Sequence, residues 1–161
     1  MTINVTKEPI NLREKLNELD FDKVPFQKMP AGSVLQVVSA FTGIGANTTS
    51  GTFVASGTKL SITPSSTASK ILGFFHISQL NNGGPGGEMR VVVYRNGTLV
   101  PGEMITLFNN YQVLTSASMN VLDSPATTSA AEYEIYLRRN SGTGPVYLQQ
   151  DCHITLMEIA Q

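Results

Sequence analysis

Arg90-Val91-Val92-Val93-Tyr94-Arg95, followed at once by Asn96-Gly97, is the stretch that decides the fold class. β-Branched and aromatic residues fit a pleated, half-buried surface. Asn and Gly both tolerate the positive φ that the two central residues of a type I′ turn require. The segment therefore reads as a strand that reverses tightly into an antiparallel partner.

Working outward from this hairpin, the same signature recurs along the chain. Strand patterns fall at 33–41, 52–56, 58–64, 69–79, 88–95, 98–106, 112–121, 132–139 and 151–159, with one pair expected to merge. Turn-forming runs separate them, among them Gly43-Ile44-Gly45, Pro64-Ser65-Ser66, the Gly-rich segment 81–87 and Asn140-Ser141-Gly142. Strands at this spacing with no helical pattern between them predict an all-β, antiparallel sandwich or barrel.

The strands differ in the number of faces they bury. Over 132–139, Tyr133, Ile135 and Leu137 alternate with Glu132, Glu134, Tyr136 and Arg138, as in a strand with one wet side. Residues 58–63 behave likewise, with Leu60 and Ile62 inward. Two others are apolar on both faces. Val34, Val38 and Ala40 oppose Leu35, Val37 and Phe41, and Ile71, Phe75 and Ile77 oppose Leu72 and Phe74. A strand in a sandwich has one inner face, so the second needs another cover: the N-terminal segment, a loop or a neighbouring subunit. A contiguous apolar patch usually marks an interface. Val34, Leu35, Val37, Phe41, Leu72 and Phe74 are accordingly the candidate subunit interface of a homo-oligomer.

Residues 1–30 differ from the rest. Asn11 is a good N-cap, Glu14 stands three residues on as in a capping box, and Leu12, Leu16 and Leu19 share one helical face. A helix of about 10 residues is marginal alone in water and needs a surface for its stripe. Pro25 and Pro30 stop it, with Phe21, Val24 and Phe26 forming an extended apolar tether. Either the helix packs on its own domain, or these six apolar residues are an anchoring or oligomerisation element, the candidate role carried forward. The expected division is an N-terminal helix and extended anchoring segment (1–30) and a β-sandwich domain (31–161).

Composition excludes several functions. At 161 residues the chain is long enough to bury a core without metal or disulfide support. Eleven basic residues against twelve acidic ones, scattered along the chain, provide no patch to neutralise phosphates, so nucleic acid is not an expected partner. No apolar run approaches the roughly 18 residues of a membrane span. Met1-Thr2-Ile3-Asn4 has no basic start to a signal peptide, so synthesis in a cytoplasm as a soluble protein is expected. Cys152 is the single cysteine, which rules out an intrachain disulfide.

Catalytic and metal patterns are not found either, and neither a catalytic residue, a metal ligand nor a cofactor is assigned. Cys152 and His153 are adjacent, so on a strand they point to opposite faces, leaving Cys152 with His76 as the one conceivable Cys–His pair. Cys and His spacings for zinc are lacking, as is an Asp-x-Asp-x-Asp repeat for calcium. The Gly-rich run 83–87 is not followed by the Lys-Ser/Thr of a phosphate loop. Glu132 and Glu134 share a strand face as glycosidase carboxylates would, but they read as solvated outward residues. The chain is expected not to be an enzyme.

Met29-Pro30-Ala31-Gly32-Ser33-Val34-Leu35-Gln36-Val37-Val38 resembles the opening of a β-domain found in bacteriophage tail-fibre-type structural proteins. The run from Thr58 to Leu72, the stretch Met119-Asn120-Val121-Leu122-Asp123-Ser124-Pro125-Ala126 and the ending Ile154-Thr155-Leu156-Met157-Glu158-Ile159 are similar to that family too, in the same order. The resemblance covers most of 29–160, and its motifs are structural. It implies a jelly-roll-like sandwich, a homotrimer and a place in the virion, with 1–30 attaching to another virion protein. The expected task is that of a tail fibre or tail appendage presenting its β-domain to the host surface. The alternative is a capsid decoration or head-fibre protein that stabilises the shell. A host glycan or protein is the candidate outer partner, reached through loops 43–51, 81–87 and 140–145, with Tyr111, Tyr136 and Tyr147 as candidate amphipathic contacts.

Overall fold

The computed structural model describes residues 29–42, 44–82, 84–102, 105–109, 114–149 and 151–161, and every regular element among them is a β-strand. The helix read over 11–20, and Leu12, Leu16, Leu19, Phe21, Val24 and Phe26, lie outside the described residues. The strands are β1 (Val34–Thr42), β2 (Ala46–Thr48), β3 (Val54–Ile62), β4 (Lys70–Asn81), β5 (Gly87–Arg95), β6 (Thr98–Leu99), β7 (Ile105–Asn109), β8 (Leu114–Asp123), β9 (Ala131–Ser141), β10 (Val146–Leu148) and β11 (Cys152–Ile159).

All pairings are antiparallel, and they build two sheets. The first has the order β1-β11-β4-β8, with β10 and then β2 continuing from the far end of β4. The second has the order β3-β9-β5-β7, with β6 beside the last residues of β5. Alternation supplies the core: Ile71, Phe75, Ile77, Met119, Val121, Ile154 and Leu156 from the first sheet meet Val91, Val93, Tyr133, Ile135 and Leu137 from the second. Burying each such side chain contributes about 1.5–3 kcal/mol.

The hairpin forms as its sequence predicts. Asn96 and Gly97 take φ of 47° and 78°, Arg95 pairs with Thr98, and Val100 N–H donates to the Val93 carbonyl at 3.0 Å. The return does not run unbroken from 98 to 106. Pro101 has no N–H to continue the ladder, and the chain rejoins β5 only as β7, from Ile105 opposite Val91. The patterns at 52–56 and 58–64 merge into β3, whose register shifts between Ala55 and Lys59. Gly57, at φ 78°, sits in that bulge. Strands β2 and β10, three residues each, carry no alternation long enough to read from sequence.

A second bulge corrects the faces of β1. Val34 pairs with Ile159 and Gln36 with Glu158, so Leu35 is the extra residue. Val34 and Val37 therefore both face outward, although an odd number of positions separates them. Leu35 leaves the candidate interface and lies half-buried beside Ser65, Ser69 and Ala160.

The strand directions give the domain two distinct ends. Residues 29–33 lie at one, where Gly32 N–H donates to the Ala160 carbonyl and Ala160 N–H to Ser33, each at 2.9 Å. The Asn96–Gly97 turn is at this end too. The described parts of 43–51 and 81–87, together with 140–145, lie at the other. There Ser141 Oγ donates to the Gly86 carbonyl at 3.0 Å, and Arg139 N–H to Ser50 at 2.9 Å.

Candidate interaction surface

The register of four adjacent strands aligns the outward side chains of the first sheet into rows. Val37, Met157, Leu72 and Leu122 form one row across β1, β11, β4 and β8. Ser39, Thr155, Phe74 and Asn120 form the next, and Phe41, His153, His76 and Ser118 the third. Large apolar side chains stand open here: Val37 is 53% exposed, Phe41 66%, Phe74 44% and Leu122 56%. Leu72 and Met157 are half-buried.

None of these positions carries a carboxylate, a lysine or an arginine. Strands about 4.8 Å apart with rows two residues apart make this a field of roughly 300–400 Å². Six apolar side chains stand in it among Ser, Thr, Asn and His, and clustered exposed apolar side chains are a feature of interaction sites. The outer face of the second sheet differs sharply. Lys59 pairs with Glu132 at 3.1 Å and Arg90 with Glu88 at 2.7 Å. Tyr94 stacks on Tyr136 with centroids 4.0 Å apart, and the Arg138 guanidinium lies 4.8 Å from the Phe53 ring. A copy meeting these three rows would bring no like charges together, Lys70 standing in the next row beside Ile159, whereas a copy meeting the second face would.

Of the interface residues read from sequence, Val37, Phe41, Leu72 and Phe74 come together on this field, and Val34 extends it beside Ile159. Leu122 and Met157 were missed. On its outward face Leu122 follows Ser116, Ser118 and Asn120, and Met157 follows His153 and Thr155, so only the register places each in an apolar row.

Cys152 and His76 do not meet. Cys152 is buried opposite Ile77, while His76 points outward and is the cross-strand partner of His153. His76 Nδ1 shares a hydrogen bond with Ser118 Oγ at 2.9 Å, and His153 Nε2 with Ser39 Oγ at 3.1 Å. Burial pushes the Cys152 thiol up to about 11, outweighing a hydrogen bond with Thr58, so the nucleophilic thiolate is scarce at neutral pH. Glu132 is held by Lys59, and Glu134 Oε1 accepts from Gly57 N–H at 2.9 Å. Among the described residues no three His, Cys, Asp or Glu side chains group as metal ligands, and no helix is long and apolar enough to cross a membrane. Tyr136 is engaged with Tyr94, Tyr147 lines an open cavity described below, and Tyr111 lies outside the described residues.

No protein-family model and no curated protein matches the chain. Among solved structures, the chain is similar to one from the tripod (BppUct-A-L) of the baseplate of bacteriophage Tuc2009, over 100% of both chains, at 12% identity and a TM-score of 0.39. No conclusion about fold or task rests on a likeness of that size.

Proposed function

We propose that the chain is a phage virion structural protein, a tail fibre or tail appendage that attaches through its N-terminal segment and presents a trimeric β-domain to the host surface. The observation that carries this reading is the uncharged, apolar-rich field on β1, β11, β4 and β8. An exposed field of this kind is self-complementary in charge and gains by burial against copies of itself. The strand order of the two sheets supports the jelly-roll-like sandwich that the sequence resemblance implies.

The two ends of the domain support the same reading. Residues 29–33, which continue from the candidate anchoring segment, lie at one end, and the loops read as host contacts lie at the other. A module held at the first end would present the second outward, and loops on a rigid scaffold are where recognition is carried.

Light scattering on the purified chain tests assembly: a mass three times the 17.4 kDa of one chain is expected, and a monomer at micromolar concentration overturns it. Gold-labelled antibody on intact particles tests location. Label at the tail is expected, and label over the shell identifies a capsid decoration or head-fibre protein instead.

A further inference from the structure

At the loop end of the first sheet, β2, β10 and the close of β4 enclose an open-mouthed cavity of about 490 Å³. Cavities of ~300–1,000 Å³ are the size that small ligands occupy. The polar residues that line it are Tyr147, Asn47, Gln79, Gln149 and Asp151. None of these five side chains makes a hydrogen bond to another described residue, in contrast to the bonded Thr48, Arg139, Asn140 and Ser141 side chains nearby. Asn47, Gln79 and Asp151 are exposed, and Tyr147 and Gln149 half-buried, so their donor and acceptor capacity is open to a ligand.

The backbone beneath them is fixed. Tyr147 pairs with Asn47 on one side and Asn81 on the other. Gln149 N–H donates to the Gln79 carbonyl at 3.0 Å, and Ser78 Oγ to the Asp151 carbonyl at 2.6 Å. Asp151 is held at φ 74°, in the left-handed region that non-glycine residues rarely occupy. Residues kept in such conformations cluster at ligand clamps.

The chemistry of the wall selects the ligand class. Each primary amide both donates and accepts, and a carboxylate accepts through two oxygens, which matches neighbouring hydroxyls that themselves donate and accept. A tyrosine ring offers an apolar face for C–H groups together with a polar tip. No lysine or arginine lines the cavity, and Asp151 is its one formal charge, so an anionic ligand is disfavoured. We propose that this cavity binds a neutral hexopyranose unit of a surface glycan, with Tyr147 against a C–H face of the ring and Asn47, Gln79, Gln149 and Asp151 on its hydroxyls. The inference names the ligand of the host contact proposed above and rests on that reading for the source of the glycan. The cavity lies beyond the Phe41–His153–His76–Ser118 row, outside the field read as the subunit contact.

The test is amide NMR on the isotope-labelled full chain, titrated to about 50 mM, well above a Kd of ~1 mM. The probes are the methyl glycosides of glucose, galactose and mannose, and the methyl glycoside of glucuronic acid as the anionic comparison. Saturable shifts confined to residues 45–47, 79 and 147–151 are expected with at least one neutral glycoside. Gln79→Ala and Tyr147→Ala should each weaken that binding, Tyr147→Ala by about tenfold, and Gln79→Ala serves alone if Tyr147→Ala does not fold. No saturable shift with any neutral glycoside, shifts elsewhere, unchanged affinity in Gln79→Ala, or equal affinity for the glucuronide overturns the proposal. The assay needs no particle, so its failure is distinct from a failure of the virion reading, which the labelling experiment decides.

Discussion

The Tyr133 hydroxyl donates to Asp123 Oδ2 at 2.8 Å and so ties the second sheet to the last residue of β8 in the first. Arg95, at the end of β5, forms an ion pair with the same carboxylate oxygen. Both Tyr133 and Asp123 are buried. Burial, then the bond to Asp123 and its charge, push the Tyr133 phenol well above its usual value, so it stays a donor across the accessible pH range.

Removing either member should loosen the sandwich by different amounts. Tyr133→Phe takes away one charge-assisted bond but leaves Asp123 with Arg95, and is expected to cost about 1.5–3 kcal/mol. Asp123→Ala strands the phenol and the guanidinium together and should cost about 3–5 kcal/mol, as when one partner of a buried pair is deleted. Urea denaturation of the two variants gives the order, and a Tyr133→Phe loss equal to or larger than that of Asp123→Ala contradicts it.

Acid sensitivity should centre on Glu158. It is fully buried in β11, where burial pushes its carboxyl up, but hydrogen bonds from Ser65, Ser69 and Gln36 outweigh this and lower it below the ordinary 4.5. Gln36 Nε2 lies 2.6 Å from one carboxylate oxygen, and Ser65 N–H and Oγ lie 2.8 and 2.7 Å from the other. A depressed folded-state value means the carboxylate contributes stability above its unfolded value, which is lost as pH falls through the folded one. Between about pH 5 and pH 3 the natural chain should lose stability more steeply than Glu158→Gln. Parallel slopes in denaturant titrations would show that Glu158 is not the responsible group.

How much of this was legible in the sequence depends on the range of each signal. The β5 turn and the alternation of β9 are local, set by Asn96-Gly97 and by Tyr133, Ile135 and Leu137, and the structure carries both. The doubled apolar faces of β1 and β4 were legible too, except that one unpaired residue at Leu35 moved Val34 to the outer face. Bulges arise from pairing, which the order of residues in one strand does not state. The Val37–Met157–Leu72–Leu122 row needs the register of four strands from distant parts of the chain. The cavity is less legible still, because Asn47, Gln79, Tyr147 and Asp151 come from segments with no shared pattern.

Two glycines separate backbone strain from collision. Gly97, at φ 78°, has nothing within 4 Å of where a Cβ would stand, so Gly97→Ala meets only the left-handed backbone cost of about 1–2 kcal/mol. Gly142, at φ 84°, would place a Cβ 2.7 Å from the Gly87 Cα, a backbone atom that no rotamer change can move. Gly142→Ala should therefore destabilise by about 3 kcal/mol or more. Thermal melts of both variants check the difference. Equal losses would mean that the 81–87 and 140–145 loops separate freely.

Assembly should depend on the neutrality of the outer field. Val37→Glu and Leu122→Glu each place a carboxylate in the apolar row, where both residues are exposed in the single chain and the fold has little to lose. In an assembly, every copy would bring the same charge to the contact, and burying an unpaired carboxylate costs several kcal/mol. Light scattering should then show the mass of one chain, while the melting of the monomer stays near that of the natural domain. Thr106→Glu is the control: it adds the same charge on the exposed outer side of the second sheet, opposite Arg90, and should leave the assembly intact. If Thr106→Glu dissociates the oligomer and Val37→Glu does not, the copies meet through the second sheet. The charge contrast between the two faces would then have been read the wrong way round.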